Sequence, residues 1–252
     1  MNNNSSKIEN EFGKFFYTEQ YMKLKNYLFN YRFRKIMVNS AFNEYFSRIS
    51  KSEPILVDIG SGISPITPYP NKTLFLELEK KAVDFLVSKG LNAKKGDITK
   101  LPLKNNSVDV IFCSEVLEHV PNYKKALKEC ARVLKDKGAL ILTVPTHMHY
   151  WKDDDDYVGH IRRFNPETLE KDITKAGLRI SLIKPIGSPI ERFLTNLTVK
   201  LARRNNNNIS KNALSNYLFY IANTIILGII YMSYIFNNKN NSSIILITAI
   251  KD

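Results

Sequence analysis

Residues 55–63, Ile-Leu-Val-Asp-Ile-Gly-Ser-Gly-Ile, decide the fold. A short apolar run leads to the acid Asp58 and then to two glycines one residue apart, Gly60 and Gly62. This pattern is typical of a buried parallel strand that ends in a nucleotide-binding loop. Glycines allow turns that a side chain forbids, and they let the backbone approach a ligand closely. A Gly-x-Gly pair also occurs in ordinary turns, so the interpretation depends on the segments that follow.

Further apolar runs alternate with helical patterns along the chain, which predicts a parallel, doubly wound α/β sheet. The predicted strands are residues 55–59, 73–77, 91–95, 107–113, 139–144, 178–183 and 243–250. Helical patterns cover residues 80–89, 123–134 and 166–176, the last with Asn165 as its N-cap and Gly177 as its stop. Three prolines within residues 64–70 exclude a normal helix after the glycine loop, and residues 146–165 are predicted to form a long loop.

Polar residues follow several of these strands on the edge where doubly wound sheets bind ligands. Glu77 ends the second strand, where two carboxylate oxygens can accept both hydroxyls of a ribose. Asp97 follows the third strand and suits an adenine amine, with the amide of Ile98 beside it. Asp58 can orient the loop backbone or face an ammonium group. Any one of these acids could be a surface carboxylate, but three at successive strand ends indicate a nucleotide site.

Five motifs in order resemble the class I S-adenosylmethionine-dependent methyltransferases, over residues 55–187. They are Val57-Asp-Ile-Gly-Ser-Gly, Leu76-Glu-Leu-Glu, Gly96-Asp-Ile, Ser107-Val-Asp-Val-Ile-Phe-Cys-Ser-Glu-Val-Leu-Glu-His-Val and Arg132-Val-Leu-Lys-Asp-Lys-Gly-Ala-Leu-Ile-Leu-Thr-Val-Pro. The resemblance implies S-adenosylmethionine as cofactor. It also implies that Asp58, Gly60, Ser61 and Gly62 shape the methionine pocket, that Glu77 holds the ribose, that Asp97 and Ile98 hold the adenine, and that Ser114 and Glu115 lie near the sulfonium. Ser64, where the family often has a third glycine, departs from the pattern.

The last apolar run, residues 243–250, agrees with this resemblance. The family places such a seventh strand antiparallel between strands 5 and 6. We therefore expect a Rossmann-like sheet of seven strands with N-terminal helices and a helical insertion between strands 6 and 7. The expected division is a helical lid at residues 1–54, with two helices over the core, and a methyltransferase domain at residues 55–252 whose hydrophobic insertion covers residues 189–240. The aromatic-rich N-terminal helices could equally be plain packing against the core.

Candidates for the chemistry on the acceptor side lie near the predicted long loop. His160 is the candidate base for an oxygen acceptor, and His160, Arg163 and His119 are the candidate substrate residues; His147 and His149 lie on the same loop. Residues 153–156, four aspartates in a row, are interpreted as a solvated charge run. We predict no resident metal.

One alternative stays open in the segment that follows strand 4. On a helix Glu115, Glu118 and His119 would share one face, and with His160 they could bind a divalent metal, as in some related O-methyltransferases of quinone precursors and of RNA ends.

The charge of +13 is concentrated in the flanks. Residues 1–54 carry 9 basic and 5 acidic side chains, and residues 188–252 carry 7 and 2. Such surfaces favour anionic partners, including phospholipid, although a basic composition also serves solubility. The two cysteines, Cys113 and Cys130, lack metal-type spacing and are read as reduced thiols of a cytoplasmic protein. Oligomeric state is not indicated.

The insertion suggests where the protein acts. Residues 212–238 contain no charge and are long enough to cross a bilayer, and a basic amphipathic helix precedes them. A single crossing would separate strand 7 from strand 6, so we expect peripheral attachment to the inner face of a membrane through residues 189–236. A helical cap against the core or a dimer partner is the alternative. The expected function is O-methylation of a small-molecule, lipid, quinone or lipid-linked glycan acceptor. RNA methylation and a non-catalytic scaffold are the competing functions; we consider nucleic acid less suitable because no RNA-binding module is apparent.

Overall fold

A computed structural model of the protein describes residues 25–48, 53–204 and 213–252. Seven strands form one sheet in the order β3-β2-β1-β4-β5-β7-β6. Strand β7 is antiparallel to both neighbours, and the other pairs are parallel. The predicted fold class is therefore confirmed, including the position and direction of the last strand. The strands are β1 Leu56–Ile59, β2 Thr73–Glu77, β3 Ala93–Lys95, β4 Val108–Ser114, β5 Leu134–Pro145, β6 Leu178–Pro185 and β7 Ile244–Lys251.

Seven α-helices accompany the sheet within the described residues. They are α1 Phe29–Phe46, α2 Lys80–Ser88, α3 Tyr123–Val133, α4 Asp153–Val158, α5 Pro166–Lys175, α6 Pro189–Arg204 and α7 Ala213–Tyr234. Short 3-10 turns occupy Pro70–Lys72, Leu117–His119, Met148–Tyr150 and Lys239–Asn241. The first of the two predicted N-terminal helices lies largely outside the described residues, and α1 corresponds to the second.

The sheet has a hydrophobic core on each face, because successive side chains of a strand point to opposite sides. On β4, Ile111 and Cys113 join the core that includes α3 and α5. Val110 and Phe112 join the other core, beneath α1 and α7. Both cysteines are buried and unbridged, as the sequence predicts.

Two local predictions are confirmed: the residues that begin and end α5, and the absence of a normal helix in the proline-rich segment. Asn165 Oδ1 accepts a hydrogen bond from the amide of Thr168 at 2.9 Å and caps α5. Gly177, with φ of 91°, follows the end of that helix in the left-handed region. Residues 64–69 form no helix, and only the 3-10 turn Pro70–Lys72 precedes β2. The glycine loop is thus joined to β2 by an irregular segment whose Ser64 and Thr67 are buried.

Two predicted elements differ from the structure. Strand β5 begins at Leu134, five residues before the predicted start, because Leu134 pairs with Val108 across an irregularity in the ladder. The predicted long loop contains α4, which is built from the four aspartates at 153–156. Acidic residues are favourable in a first helical turn, where backbone amides carry partial positive charge. The amide of Lys152 donates to Asp155 Oδ2 at 2.9 Å and begins this helix.

Helices α1 and α7 form one layer over the sheet. Leu28, at the N-cap of α1, offers no side-chain hydrogen bond, and the amide of Phe29 instead donates to Asn223 Oδ1 of α7 at 3.2 Å. Phe33 makes edge contacts with Tyr231 and Tyr234 of α7. The other side of α7 is exposed to solvent. The segment Tyr217–Tyr234 is long enough and apolar enough to cross a membrane, and 11% of it is buried.

Candidate active site

The glycine loop after β1 rests on the end of β2. The amide of Gly60 donates to the carbonyl of Leu76 at 2.9 Å. The amide of Gly62 and the hydroxyl of Ser61 each donate to Glu77 Oε1 at 2.9 Å. Gly60 has φ of 72°, and a Cβ there would lie 2.7 Å from Val116 Cγ2. The loop conformation therefore requires glycine at this position on two grounds, backbone strain and space.

Two buried acids lie at this loop. Asp58 is 1% exposed, and its Oδ2 has no hydrogen-bond partner among the described residues. Burial and the neighbouring Glu77 raise the pKa of Asp58 well above its usual value. Burial also raises the pKa of Glu77 to about 7, although hydrogen bonds from Ser61 and Gly62 act in the opposite direction. Buried acids with unsatisfied oxygens are costly in a fold and are found where a ligand completes their environment.

The loop after β3 lies beside the same edge. The amide of Gly96 donates to the carbonyl of Glu77 at 2.9 Å, which brings Asp97 and Ile98 next to the end of β2. Asp97 is exposed, and its Oδ1 accepts hydrogen bonds from the amide and hydroxyl of Thr99 at 2.7 and 2.9 Å. Ile98 is buried. Both residues therefore lie at the predicted edge of the sheet, and Thr99 already binds one carboxylate oxygen of Asp97.

The end of β4 carries a strained acid. Glu115 has φ of 55°, which is unusual for a residue other than glycine and is found often at functional sites. Its Oε1 accepts from Thr143 Oγ1 at 3.0 Å, and its Oε2 lies 3.0 Å from Arg34 of α1. The hydroxyl of Ser114 is 2.8 Å from Thr143 Oγ1. The two predicted residues therefore meet at the edge, and Arg34 joins them from the N-terminal helix.

The N-terminal segment covers this edge. The hydroxyl of Tyr31 donates to the carbonyls of Ser64 and Pro65 at 3.0 and 2.8 Å. Burial and the nearby Arg34 lower the pKa of Lys25 to about 8, although Glu77, Glu115 and Asp58 act to raise it. These contacts bring three basic or phenolic side chains, Lys25, Tyr31 and Arg34, to the acids of the sheet edge. The sequence predicted a helical lid here, but it assigned none of these three side chains to the site, because nothing in their spacing indicates where α1 packs.

A second group of side chains lies beyond β4. Glu118 is fully buried, and neither of its oxygens has a hydrogen-bond partner among the described residues. The nearest basic atom is His160 Nε2, at 3.6 Å from Oε1. The rings of His119 and His160 are 4.8 Å apart. Burial, followed by the proximity of His160, lowers the pKa of His119. The structure therefore brings His119 and His160 together, as the acceptor-side prediction requires, and adds Glu118 between them and the core.

The expectation that Glu115, Glu118 and His119 share a helix face is wrong. Glu115 has a left-handed backbone and only Leu117–His119 forms a 3-10 turn, so the regular spacing is lost. Glu115 binds Arg34 and Thr143 instead.

The interpretation of residues 153–156 as a solvated charge run is also wrong at two positions. Asp155 is fully buried, and Asp154 pairs with Arg192 of α6. Asp155 Oδ1 lies 2.7 Å from His160 Nδ1 and 3.0 Å from Arg163 Nε, and its Oδ2 lies 2.8 Å from Arg192. Burial alone would raise the pKa of Asp155, but hydrogen bonds from His160 and Arg163 lower it to about 2. The run resembles a surface segment because its partners, His160, Arg163 and Arg192, all lie outside it in the chain.

Arg163, predicted on the substrate side, lies in the interior. It is 7% exposed and donates to Asp155 and to the carbonyls of Thr146 and Ser243. This geometry favours a role in holding Asp155, and through it His160, over direct contact with an acceptor.

Comparison with known proteins explains the arrangement at the sheet edge. Residues 57–142 match the family model described as a methyltransferase domain. The chain carries a class I S-adenosylmethionine-dependent methyltransferase domain. The matched segment contains the glycine loop, Glu77, Asp97 and the end of β4, and the cofactor of this domain is S-adenosylmethionine.

Relatives of the methyltransferase domain come from diverse organisms. An uncharacterized protein of Methanocaldococcus jannaschii is 34% identical over 122 residues, 44% of this chain and 52% of the relative. The ubiquinone/menaquinone biosynthesis C-methyltransferase UbiE of Rickettsia bellii is 33% identical over 84 residues, a 33% share of this chain and 34% of that protein. The chain thus spans about half the length of the first of these relatives. A Thermotoga maritima structure, described as a possible histamine N-methyltransferase, shares the fold with a TM-score of 0.58 and 16% identity, over 97% of this chain and 99% of that one.

The residues of the methyltransferase domain fit S-adenosylmethionine. The unpartnered Oδ2 of Asp58 lies at the glycine loop, where a ligand could complete its environment. Glu77 would accept from the ribose hydroxyls, and Asp97 with the Ile98 amide would meet the adenine. A sulfonium and an ammonium group are cations, which suits an edge that carries Asp58, Glu77 and Glu115.

Proposed function

We propose that the chain is an S-adenosylmethionine-dependent methyltransferase that acts on an oxygen of a small-molecule, quinone or lipid-linked acceptor at a membrane surface. The observation that carries the proposal is the glycine loop seated on Glu77, with the unsatisfied carboxylate of Asp58 beside it. The bound cofactor supplies an activated methyl group, so the protein mainly aligns the acceptor with it.

His160 supports an oxygen acceptor. Its Nδ1 is held at 2.7 Å by Asp155, a carboxylate that also binds Arg163 and Arg192. Because Asp155 accepts, Nδ1 carries the proton, and Nε2 of the neutral ring is free to take the proton of an acceptor hydroxyl. The relative named as a quinone C-methyltransferase supports an acceptor of quinone type, and carbon is the alternative acceptor atom.

Cofactor binding and transfer test this proposal separately. We expect calorimetry to show S-adenosylmethionine binding that Glu77→Gln weakens and that Glu79→Gln, an exposed acid two residues beyond, leaves unchanged. Incubation of membrane lipid, RNA and small-molecule extracts with methyl-labelled cofactor should label the lipid or small-molecule fraction. Labelled RNA would favour the RNA alternative, which the basic flanks suggest. Absence of cofactor binding would favour a scaffold.

The insertion supports action at a membrane. Helix α7 presents large apolar side chains to solvent, with exposed fractions of 62% at Tyr217 and 62% at Ile225, and Phe236 just beyond its end is 84% exposed. Helix α6 adds Phe193, which is 66% exposed, and its sequence carries Lys200, Arg203 and Arg204. An exposed apolar helix preceded by a basic stretch of sequence is typical of proteins that bind the interface of an anionic bilayer. This pattern supports the proposal that the surface contacts a lipid bilayer on the inner face of a membrane.

Vesicle flotation tests this assignment. The protein should float with vesicles that contain phosphatidylglycerol, and the double change Ile225→Glu with Ile229→Glu should reduce the bound fraction severalfold by placing two charges in the apolar face. Val87→Glu is the control, because Val87 of α2 is also exposed but lies outside this surface. The proposal is contradicted if all three proteins float equally or if the wild type does not float. A stable dimer that buries α7 would also contradict it.

A further inference from the structure

We propose that Glu118, His119 and His160 form a binding site for a divalent transition-metal cation. One ligand atom of each residue lies within 4.8 Å of the others. Glu118 and His119 belong to the 3-10 turn that follows β4, and His160 lies between α4 and α5. The cluster therefore joins two separate segments at the edge of the sheet where the cofactor is expected.

Glu118 is the first reason. It is fully buried, and both of its oxygens lack a partner among the described residues. The separation of 3.6 Å from His160 Nε2 is longer than a hydrogen bond. An ionised carboxylate without partners is strongly unfavourable in a protein interior, and such groups are normally paired or bound to a metal. A cation in the cluster would give these oxygens the ligand they lack.

The two imidazoles are the second reason. Asp155 Oδ1 holds Nδ1 of His160, and the carbonyl of Gly159 lies 3.1 Å from Nδ1 of His119. Both partners are acceptors, so Nδ1 bears the proton in each ring and Nε2 keeps its lone pair when the ring is neutral. Histidines that bind metals commonly donate their other N–H to a carboxylate or a carbonyl in this way. When Glu118 loses its proton to a binding cation, three electron-pair donors meet with no proton donor among them.

The orientation of His160 is itself braced. Asp155 is bound by Arg163 on one oxygen and by Arg192 on the other, and all three side chains are buried. This carboxylate therefore has little freedom to turn, and neither has the ring that it holds. A ligand fixed before the ion arrives loses less conformational freedom on binding.

Access and donor type indicate which ions fit. His119 is exposed, so the cluster opens to solvent on that side while Glu118 closes it on the other. Two imidazoles and one carboxylate suit Mn²⁺, Fe²⁺, Co²⁺ or Zn²⁺, and three protein ligands leave coordination positions open. If the proposed function holds, an acceptor hydroxyl at an open position would bind the ion through its oxygen and lose its proton to solvent more easily. Nε2 of His160 is then a ligand of the ion, so in the metal-bound protein the ion activates the hydroxyl in place of His160 as base.

Cobalt titration of the full chain tests the site without requiring turnover. We expect chelator-treated protein to bind one Co²⁺ per chain with a visible absorption band. Removing a ligand in Glu118→Gln or His119→Ala should weaken binding at least about tenfold. His149→Ala removes an exposed imidazole outside the cluster and should leave the titration unchanged. Equal Co²⁺ binding by the wild type and by both ligand variants would overturn the proposal.

Folding and cofactor binding are measured on the same proteins. Circular dichroism and calorimetric binding of S-adenosylmethionine identify the variants that fold. If Glu118→Gln does not fold, the test depends on His119→Ala, because the side chain of His119 is exposed. A variant that binds S-adenosylmethionine but not Co²⁺ supports the site. If the wild type does not bind S-adenosylmethionine, the proposed function is contradicted, but the cobalt titration still tests the metal site independently.

Discussion

At the scale of single residues, Gly60 joins the glycine loop to the packing of the domain. Its φ of 72° is accessible to glycine at little cost, and Val116 occupies the space of a side chain. Sequence alone identified Gly60 as part of a ligand loop, but the contact with Val116 required the position of the segment after β4.

We expect Gly60→Ala to abolish S-adenosylmethionine binding and to lower the free energy of unfolding. An alanine at positive φ costs about 1–2 kcal/mol, and the clash with Val116 adds about 1–3 kcal/mol. Gly90→Ala is the matched control, because Gly90 has φ of 76° and nothing within 4 Å of its added Cβ. Chemical denaturation and calorimetry measure the two effects. Similar losses in both variants would show that strain alone matters and that the contact at Gly60 does not.

The raised pKa of Glu77 predicts opposite effects of pH on cofactor binding and on stability. The carboxylate form accepts from ribose hydroxyls, so binding should strengthen as pH rises through about 7. If only the ionised form binds, the dissociation constant is about tenfold larger at pH 6 than at pH 8. The folded state without cofactor prefers protonated Glu77, so its stability should fall as pH rises from about 4.5 to about 7.

Asp58 and Lys25 also face Glu77, and the carboxylate of Glu77 helps to raise the pKa of each. The difference between the wild type and Glu77→Gln therefore reports Glu77 together with its effect on these two neighbours. Calorimetry and denaturation across pH give both curves. A dissociation constant with the same pH dependence in both proteins would contradict this role.

At the scale of elements, α1 depends on α7 for its first turn. The amide of Phe29 has no local cap and donates to Asn223, which is buried. This hydrogen bond satisfies an amide at the start of α1 with a residue that is 194 positions away in the chain.

Asn223→Ala should therefore lower the free energy of unfolding by about 1–3 kcal/mol, because it leaves the Phe29 amide buried without an acceptor. Met232→Ala changes an exposed position of α7 and should stay within about 0.5 kcal/mol. Urea denaturation compares the two. A neutral Asn223→Ala would mean that water or another acceptor reaches the end of α1.

Sequence reasoning succeeded where chemistry is local and failed where it depends on distant partners. The caps of α5, the proline-rich segment and the strand pattern are set by neighbouring residues, and they were predicted correctly. Asp155 looks solvated in a run of four acids, yet His160 and Arg163 of the next loop and Arg192 of α6 surround it. Likewise Arg34 reaches Glu115 only because α1 packs across the sheet. No periodicity in the sequence contains this information.

At the scale of the whole molecule, the connection from β6 to β7 limits how α7 can meet a bilayer. Strand β6 ends at Pro185, β7 begins at Ile244, and both pair in the same sheet. A single crossing between them would put two paired strands on opposite sides of the membrane. If α7 contacts a bilayer as we propose, its apolar face therefore lies in the interface or re-enters on the same side.

We expect alkaline carbonate to release the protein from cell membranes, because an interfacial helix lacks a complete span. The measurement is the distribution between pellet and supernatant after extraction, with a known single-span protein as the retained standard. Complete retention after carbonate would contradict interfacial attachment. Recovery in the supernatant at low salt, before any extraction, would contradict membrane attachment altogether.

The guanidinium of Arg192 has a mechanical consequence. It extends from the outer helix α6 to Asp154 and Asp155, and Asp155 in turn holds the ring of His160. A displacement of α6 by the length of one hydrogen bond would remove a partner from Asp155 and loosen the imidazole. If the proposed function and membrane attachment hold, methyl transfer would slow when α6 leaves the membrane surface, and the free protein would consume little S-adenosylmethionine.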